Sequence, residues 1–287
     1  MPTAQLGDRA AILIDGADAG HFLQNILTVD LDGLRAGEAR PGALLSPQGK
    51  ILFDFLVSRR GGHGFLLDCR AEQAGDFVRR LMLYRLRARA EISVADQVLV
   101  FARWDDDSAS SQTDSGWLAD RRFPEEAGVL RRYGEAVATD AFPEDFARLR
   151  IAHGIAESGA DFAAGDAFPH DVLMDENGGV GFHKGCYIGQ EVVSRMQHRG
   201  TARRRVMIAT AEADLPEAGA AVLAGERPIG ALGGVAGRKG LAIVRVDRVK
   251  DALDAGQPIT AGGVALSLSI PAWARYTLPQ AAGADEA

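Results

Sequence analysis

The sequence predicts an α+β protein that ends in a separate small β domain. In the first two thirds, strand patterns between turn residues accompany amphipathic helical stretches, whereas beyond Gly200 short strand patterns are separated by glycine and proline. The chain has 287 residues, enough for two or three compact units, and its composition (47% hydrophobic, 25% charged) is typical of soluble globular proteins. We therefore expect a mixed region over 1–202 and a β domain over 203–287.

A short helix and a three-stranded antiparallel meander are predicted first. Asp18 is a candidate N-cap. The helix that it begins carries apolar side chains on one face, at Phe22, Leu23, Ile26 and Leu27. Strand patterns follow over 42–45, 51–57 and 65–68, and the turn between the first two strands falls at 46–50.

A longer amphipathic helix is predicted over residues 71–87, packed on that sheet. Its inward face carries Phe77, Leu81 and Tyr84. Four arginines fall mostly on the opposite face, which we interpret as solvated: Arg79, Arg80, Arg85 and Arg87.

The middle of the chain predicts more strands, another helix and an irregular segment. Residues 88–94 and 98–101 read as strands, and 143–153 reads as a helix that ends at Gly154. Residues 159–181 are rich in Gly, Asp and Pro and lack periodicity. Long irregular segments of this kind are more often functional than accidental.

The C-terminal region predicts a small β-barrel or sandwich. Its strand patterns are short and separated by glycine and proline, over 205–209, 220–223, 241–246 and 264–269.

Composition excludes several classes of protein. No apolar run is long enough for a membrane span, and the N-terminus shows no secretory signal, so we expect a cytoplasmic protein. The formal net charge of −7 argues against direct nucleic-acid binding and against anionic membranes, although a local basic patch is compatible with it.

The two cysteines, Cys69 and Cys186, are too few to hold an iron–sulfur cluster, which usually needs four ligands. Any involvement with such clusters must be indirect or shared with another chain. The histidines show no metal-ligand spacing, so no metal site is predicted.

Residues 181–200 concentrate the chemistry. Their second half predicts a helix that stops at Gly200, and Cys186 precedes this helix between two glycines, with Lys184 two residues away. The helix N-terminus and the ammonium would favour the thiolate. Two alternatives remain: Cys186 is a small buried hydrophobe, or it is the nucleophile of a cysteine hydrolase with His183 or His198 as base.

One stretch has a specific resemblance. Residues 184–191 read K-G-C-Y-I-G-Q-E and resemble the K-G-C-Y-x-G-Q-E signature of the YgfZ family at every fixed position. Residues 16–28, 44–51, 150–155 and 198–200 resemble other segments of that family.

We hypothesise a role for each functional residue of the signature. We expect Cys186 to be an accessible nucleophile or transient contact and Lys184 to tune it. Tyr187, Gln190 and Glu191 would shape the turn and the start of the helix.

The YgfZ family shares its fold with the glycine-cleavage T-protein. The resemblance therefore implies two ferredoxin-like units with antiparallel sheets plus a C-terminal β-barrel, around a central hole that binds tetrahydrofolate. Asp171 aligns with the pterin-binding carboxylate, although a loop residue or helix cap would look the same. Asp54 is the remaining member of a paired-carboxylate site, where Phe53 replaces the first aspartate. Arg204 and Arg205 would bind the glutamyl tail, unless they protect a strand edge.

The implied function is an accessory role in assembling or repairing iron–sulfur clusters, including those of a radical enzyme that modifies tRNA. Folate and iron–sulfur client or assembly proteins are the implied partners. The alternative is a true enzyme, a folate-dependent aminomethyltransferase or demethylase, which Phe53 and Cys186 disfavour. A third possibility is an adaptor that does not bind folate.

Overall fold

The computed structural model describes residues 1–105, 116–200 and 202–279. The strands in chain order are Thr3–Gln5 (β1), Arg9–Asp15 (β2), Glu38–Leu45 (β3), Ile51–Arg60 (β4), Gly64–Arg70 (β5), Glu91–Val94 (β6), Leu99–Arg103 (β7), Trp117–Asp120 (β8), Leu130–Gly134 (β9), Arg204–Ala211 (β10), Ala221–Ala224 (β11), Arg227–Ala236 (β12), Lys239–Arg245 (β13), Ile259–Ala261 (β14) and Val264–Ser269 (β15). The α-helices are Ala19–Gln24 (α1), Ala74–Arg85 (α2), Pro143–Ala152 (α3), Gln190–Arg199 (α4) and Val246–Asp254 (α5).

The first nine strands form one sheet in the order β1-β7-β9-β8-β3-β4-β5-β2-β6. Strands β3, β4, β5, β2 and β6 make one antiparallel half, which includes the predicted meander. Strands β1, β7, β9 and β8 make the other half. The halves join through a short parallel pairing of β3 with β8, in which Glu38 lies opposite Ala119.

The last six strands close into a barrel in the order β10-β13-β12-β11-β14-β15. The predicted α+β fold with a C-terminal barrel is therefore confirmed, and the sandwich alternative is wrong. Within the barrel, Arg204 and Arg205 of β10 pair with β13, whereas the pairing of β10 with β15 begins at Ile208. Residues 280–287 of the predicted C-terminal domain lie outside the described residues.

Helices α1 to α4 occupy the predicted places, with one difference at α1. Asp18 is the N-cap residue, but its side chain makes no capping hydrogen bond. Instead, its carboxylate accepts hydrogen bonds from the backbone N–H and the guanidinium of Arg89, at 2.9 and 3.0 Å. These bonds lower the pKa of Asp18 to about 2. Asp18 therefore ties the start of α1 to the chain entering β6.

Seven elements go beyond the sequence prediction: β1, β2, β8, β9, β12, β14 and α5. Strand β2 lies inside the sheet between β5 and β6, and its Ile12 and Ile14 are fully buried. Among the described helices, none is long and apolar enough to cross a membrane.

Candidate functional site

The signature residues form a turn followed by α4, as predicted. Gly189 precedes the helix with φ of 78°, and Gly200 ends it with φ of 58°. Both angles lie in the left-handed region that glycine tolerates best. A Cβ on Gly189 would lie 2.6 Å from the backbone oxygen of Ser46 and 3.0 Å from Cα of Gly49. The signature turn is therefore packed directly against the β3–β4 hairpin turn.

Cys186 is exposed at this turn. The interpretation of it as a buried hydrophobe is therefore wrong. Within the described part of the chain, its thiol makes no hydrogen bond, so neither His183 nor His198 forms a nucleophile–base pair with it. The geometry gives a solvent-accessible sulfur without the partner that a cysteine hydrolase requires.

Lys184 points toward the first half of the molecule. Its Nζ donates hydrogen bonds to the backbone oxygens of Leu27 at 2.6 Å and Val29 at 2.8 Å. Burial lowers the pKa of Lys184 to about 8, against the opposing charges of Asp30 and Asp32. Its ammonium therefore holds the signature loop against the segment after α1. These hydrogen bonds do not involve the thiol of Cys186, which Lys184 was predicted to tune.

Tyr187 is buried behind the exposed thiol, in a core cluster that includes Leu45 and Val193. Its ring centroid lies 5.3 Å from Nζ of Lys184, and burial raises its pKa to about 12. The backbone N–H of Gln190 donates a hydrogen bond of 3.3 Å to the backbone oxygen of Tyr187. These contacts hold the bend that presents Cys186.

Glu191 is exposed in the first turn of α4. A carboxylate there suits the positive end of the helix dipole. This position agrees with the predicted role of Glu191 in shaping the start of the helix.

Thr28 is a site residue that sequence reasoning missed. Its hydroxyl donates to the backbone oxygen of Gly179 at 2.7 Å and accepts from the N–H of Ala43 at 2.8 Å. Its own backbone oxygen accepts from Gly181 at 2.8 Å. Thr28 and Lys184 thus fasten the same loop to the end of α1. The sequence gives no local signal for contacts across some 150 residues.

Asp54 lies at the centre of the molecule and is buried. Its carboxylate accepts hydrogen bonds from the hydroxyl and the backbone N–H of Ser158. The cavity that it lines has a volume of about 10 Å³, room for about one water molecule. Asp54 is therefore enclosed, and its role toward a folate stays a prediction.

Asp171 caps a short 3₁₀ helix, Pro169–Val172. Its carboxylate accepts a hydrogen bond of 3.1 Å from the backbone N–H of Phe168. Burial raises its pKa, despite that bond and the nearby cations. Nε of Arg204 lies 3.9 Å away, and the same guanidinium bonds Asp166 at 3.0 Å. The capping interpretation of Asp171 matches this geometry, and its role toward a pterin stays a prediction.

Arg205 lies on β10, and its buried side chain contacts the irregular segment. It donates to the backbone oxygen of His170 and to Asp175, both at 2.8 Å, and its guanidinium lies 5.2 Å from the Tyr276 ring centroid. Together with Gln197, these residues line a pocket of about 470 Å³ beside α4. Arg205 and Asp54 therefore line different cavities.

A buried cluster of ion pairs joins the two halves of the sheet, and sequence reasoning missed it. In it, four arginines contact four carboxylates from distant parts of the chain. The members are Arg9, Asp68, Asp120, Arg122, Arg131, Arg150, Glu157 and Asp161. Burial alone would raise the pKa of Glu157, but Arg122, Arg9 and Arg150 outweigh it and hold the pKa well below its usual range.

No group of three or more His, Cys, Asp or Glu side chains in residues 1–105, 116–200 and 202–279 is arranged to hold a metal ion. Cys69 is buried, and burial raises its pKa to about 12. Of the two thiols, Cys186 alone is available to a partner.

Comparison with known proteins gives a consistent set of relatives. The family model "CAF17, C-terminal beta-barrel domain" matches residues 203–276. The chain is 30% identical to the human mitochondrial iron-sulfur cluster assembly factor IBA57, over 94% of this chain and 84% of that protein. It is also 30% identical to the mitochondrial IBA57 homologue of Chaetomium globosum, over 71% of this chain and 55% of that protein. The chain thus spans about half the length of that relative and of several other fungal relatives.

A solved structure supports the fold. The glycine cleavage system aminomethyltransferase T from Bartonella henselae superposes with a TM-score of 0.67 at 16% identity, over 95% of this chain and 86% of that one. At this identity the likeness shows the T-protein-like fold alone. The expected cytoplasmic location is contradicted by the sequence relatives, which are named as mitochondrial proteins.

Proposed function

This chain belongs to the IBA57 family of iron–sulfur cluster assembly factors, and we propose that it assists the assembly or repair of clusters in client enzymes. The relatives carry the name IBA57, whereas the signature resembles that of the related YgfZ family. From the YgfZ resemblance we add that the clients include radical enzymes that modify tRNA.

The exposed thiol of Cys186 carries the proposal. It is presented on a bend that Lys184, Thr28 and Gly189 hold in place, and the described residues offer no set of cluster ligands. A protein so built acts on clusters through contact with another chain. Cys186 is the group that we assign to that contact.

Maturation of a client enzyme tests this proposal. The apo form of a client enzyme that normally holds a [4Fe–4S] cluster is reconstituted in the presence of wild-type protein, of Cys186→Ala or of His183→Ala. His183 is a neighbouring exposed residue, so its variant is the matched control. Cluster content and client activity should fall with the cysteine variant and stay at the wild-type level with the histidine variant. Full maturation with Cys186→Ala overturns the proposal.

We also propose that tetrahydrofolate binds in the pocket at Arg205 rather than at Asp54. The central cavity is far too small, whereas about 470 Å³ lies within the range of ligand pockets. Tyr276 offers a ring for stacking, and Arg275, exposed at the rim, offers a charge for the glutamyl tail.

Calorimetry with tetrahydrofolate tests this site. Arg275→Gln should weaken binding, and Asp54→Asn should leave it unchanged. Loss of binding in Asp54→Asn alone would return the ligand to the centre. Failure of the wild-type protein to bind would make the protein an adaptor without folate.

The alternative, a folate-dependent aminomethyltransferase or demethylase, has less support. Phe53 stands where T-protein has the first of two carboxylates, and its ring stacks on Phe77 of α2 at 4.6 Å between centroids. Phe53 and Asp54 also point to opposite faces of β4. We expect no methylenetetrahydrofolate from an aminomethyl or methylamine donor.

A further inference from the structure

The outer face of α2 exposes three large apolar side chains close together. Met82, Leu83 and Leu86 are 42%, 69% and 84% exposed, and they make up half of the six exposed large hydrophobic residues in the described chain. Met82 and Leu83 lie in the last turn of α2, and Leu86 directly follows the end of the helix. Single exposed apolar residues are normal, but a cluster indicates a contact surface.

Leu86 presents its side chain from a strained backbone. It follows the last residue of α2 with φ of 48° and ψ of −108°, a region that a bulky side chain rarely adopts. Since the side chain is 84% exposed, packing in this chain does not explain why leucine occupies the position. Strain of this kind is concentrated at functional sites.

Arginines surround these apolar residues. Arg80 and Arg87 are exposed and have no charged partner within the described residues. Arg79 pairs with Asp76 and is also exposed. The face is therefore locally positive on a chain whose formal net charge is −7. This local charge is complementary to an acidic partner surface.

We propose that this face docks a partner protein through an acidic surface with an apolar centre. We define the α2 patch by its six residues, Arg79, Arg80, Met82, Leu83, Leu86 and Arg87. The proposal goes beyond the role of Cys186 and does not depend on it, because the patch lies on a different element.

The composition favours a protein over a membrane as the occupant. Arginine and methionine are enriched in protein interfaces, whereas lysine is depleted, and the patch contains no lysine. Three apolar side chains at the end of a 12-residue helix bury too little surface to anchor a protein in a bilayer. The net negative charge also disfavours anionic lipid.

A defined peptide tests the proposal on the full chain. The probe is a fluorescent amphipathic helix of Glu and Leu, with a control peptide in which Lys replaces every Glu. Fluorescence anisotropy should show binding of the Glu peptide, weakening with added salt, and weaker binding of the Lys peptide. Equal binding of the two peptides, or none, overturns the proposal.

Variants of the α2 patch test whether the Glu peptide binds there. The double variant Leu83→Glu/Leu86→Glu should weaken peptide binding by about tenfold or more, as loss of central apolar anchors does. The double variant Arg80→Glu/Arg87→Glu should also weaken it. The matched control is Leu253→Glu, at an exposed leucine of α5, and should bind as wild type does. Equal losses in all three variants would contradict a specific patch.

Leu86→Gly separates function from folding. Glycine tolerates the positive φ, so the thermal midpoint should stay the same or rise while peptide binding falls. A fall in the midpoint without a fall in binding would make Leu86 structural. Binding of the wild-type protein to phosphatidylglycerol vesicles, without binding of the Glu peptide, would assign the patch to a membrane and overturn the proposal.

Discussion

The hydroxyl of Thr28 donates a 2.7 Å hydrogen bond to the backbone oxygen of Gly179, 151 positions later in the chain. Both groups are away from solvent, and the same hydroxyl oxygen accepts the N–H of Ala43. A single buried side chain thus connects the β3 strand, the end of α1 and the loop that leads to the signature.

Replacing Thr28 with valine should destabilise the protein by about 1–3 kcal/mol, because buried backbone groups lose their partner while the shape is kept. Thr28→Ser is the control and should recover most of the loss. Urea unfolding at equilibrium measures both variants. Equal stability of Thr28→Val and wild type would mean that water satisfies these groups.

The stability contribution of Lys184 should rise with pH. Its folded pKa of about 8 lies below the ordinary value of 10.5, so between these values the unfolded state binds more protons than the folded state. The unfolding free energy of wild type should therefore increase, relative to Lys184→Met, from pH 7.5 to about pH 10. A constant difference between the two proteins across this range would contradict the shifted pKa.

Thiol labelling should distinguish the two cysteines. Cys186 is exposed, whereas Cys69 is buried with its pKa raised to about 12 by burial. Iodoacetamide should modify one thiol in the native protein and both in urea, as mass spectrometry of peptides will show. Rapid native modification of Cys69 would mean that the β5 region opens readily.

Glu157→Gln should cost about 3–5 kcal/mol, because it leaves buried guanidinium groups without their counter-charge. Arg122 and Arg9 lose their contacts first. The control is Glu125→Gln, in an exposed pair with Arg121, which should cost less than about 1 kcal/mol.

The pH dependence of Glu157 has a definite sign. Its folded pKa is depressed, so its contribution is present above the ordinary value of 4.5 and is lost as the pH falls toward the folded pKa. The stability difference between wild type and Glu157→Gln should therefore shrink below about pH 4.5. Denaturant titrations at pH 7 and pH 3.5 will measure it.

Local patterns predicted the parts of the structure that local physics determines. Helix α4 is marked by a glycine at each end and by Val193 on its inner face, and the sequence therefore predicted its place correctly. The amphipathic α5 carried a comparable signal at Val246 and Val249, which the interpretation as strands overlooked. Strand β12 is rich in glycine and gives only a weak strand pattern.

Contacts between distant residues had no such signal. Asp68 and Arg9 are 59 positions apart, and a single arginine or aspartate on a strand reads as a solvated residue until its partner is known. The contacts of Arg205 show the same limit, because its partners Asp175 and His170 lie 30 and 35 positions away. Its role toward a ligand stays a prediction. Charge pairing depends on the tertiary fold, which periodicity does not encode.

The parallel pairing of β3 with β8 has a consequence during synthesis. Until Trp117–Asp120 leaves the ribosome, Glu38 and Ala39 of β3 have no partners on their outer edge, although the hairpin with β4 can already form. An emerging N-terminal half therefore presents bare backbone donors and acceptors to neighbouring chains. A chaperone that covers this short edge over that interval should therefore reduce association between emerging chains.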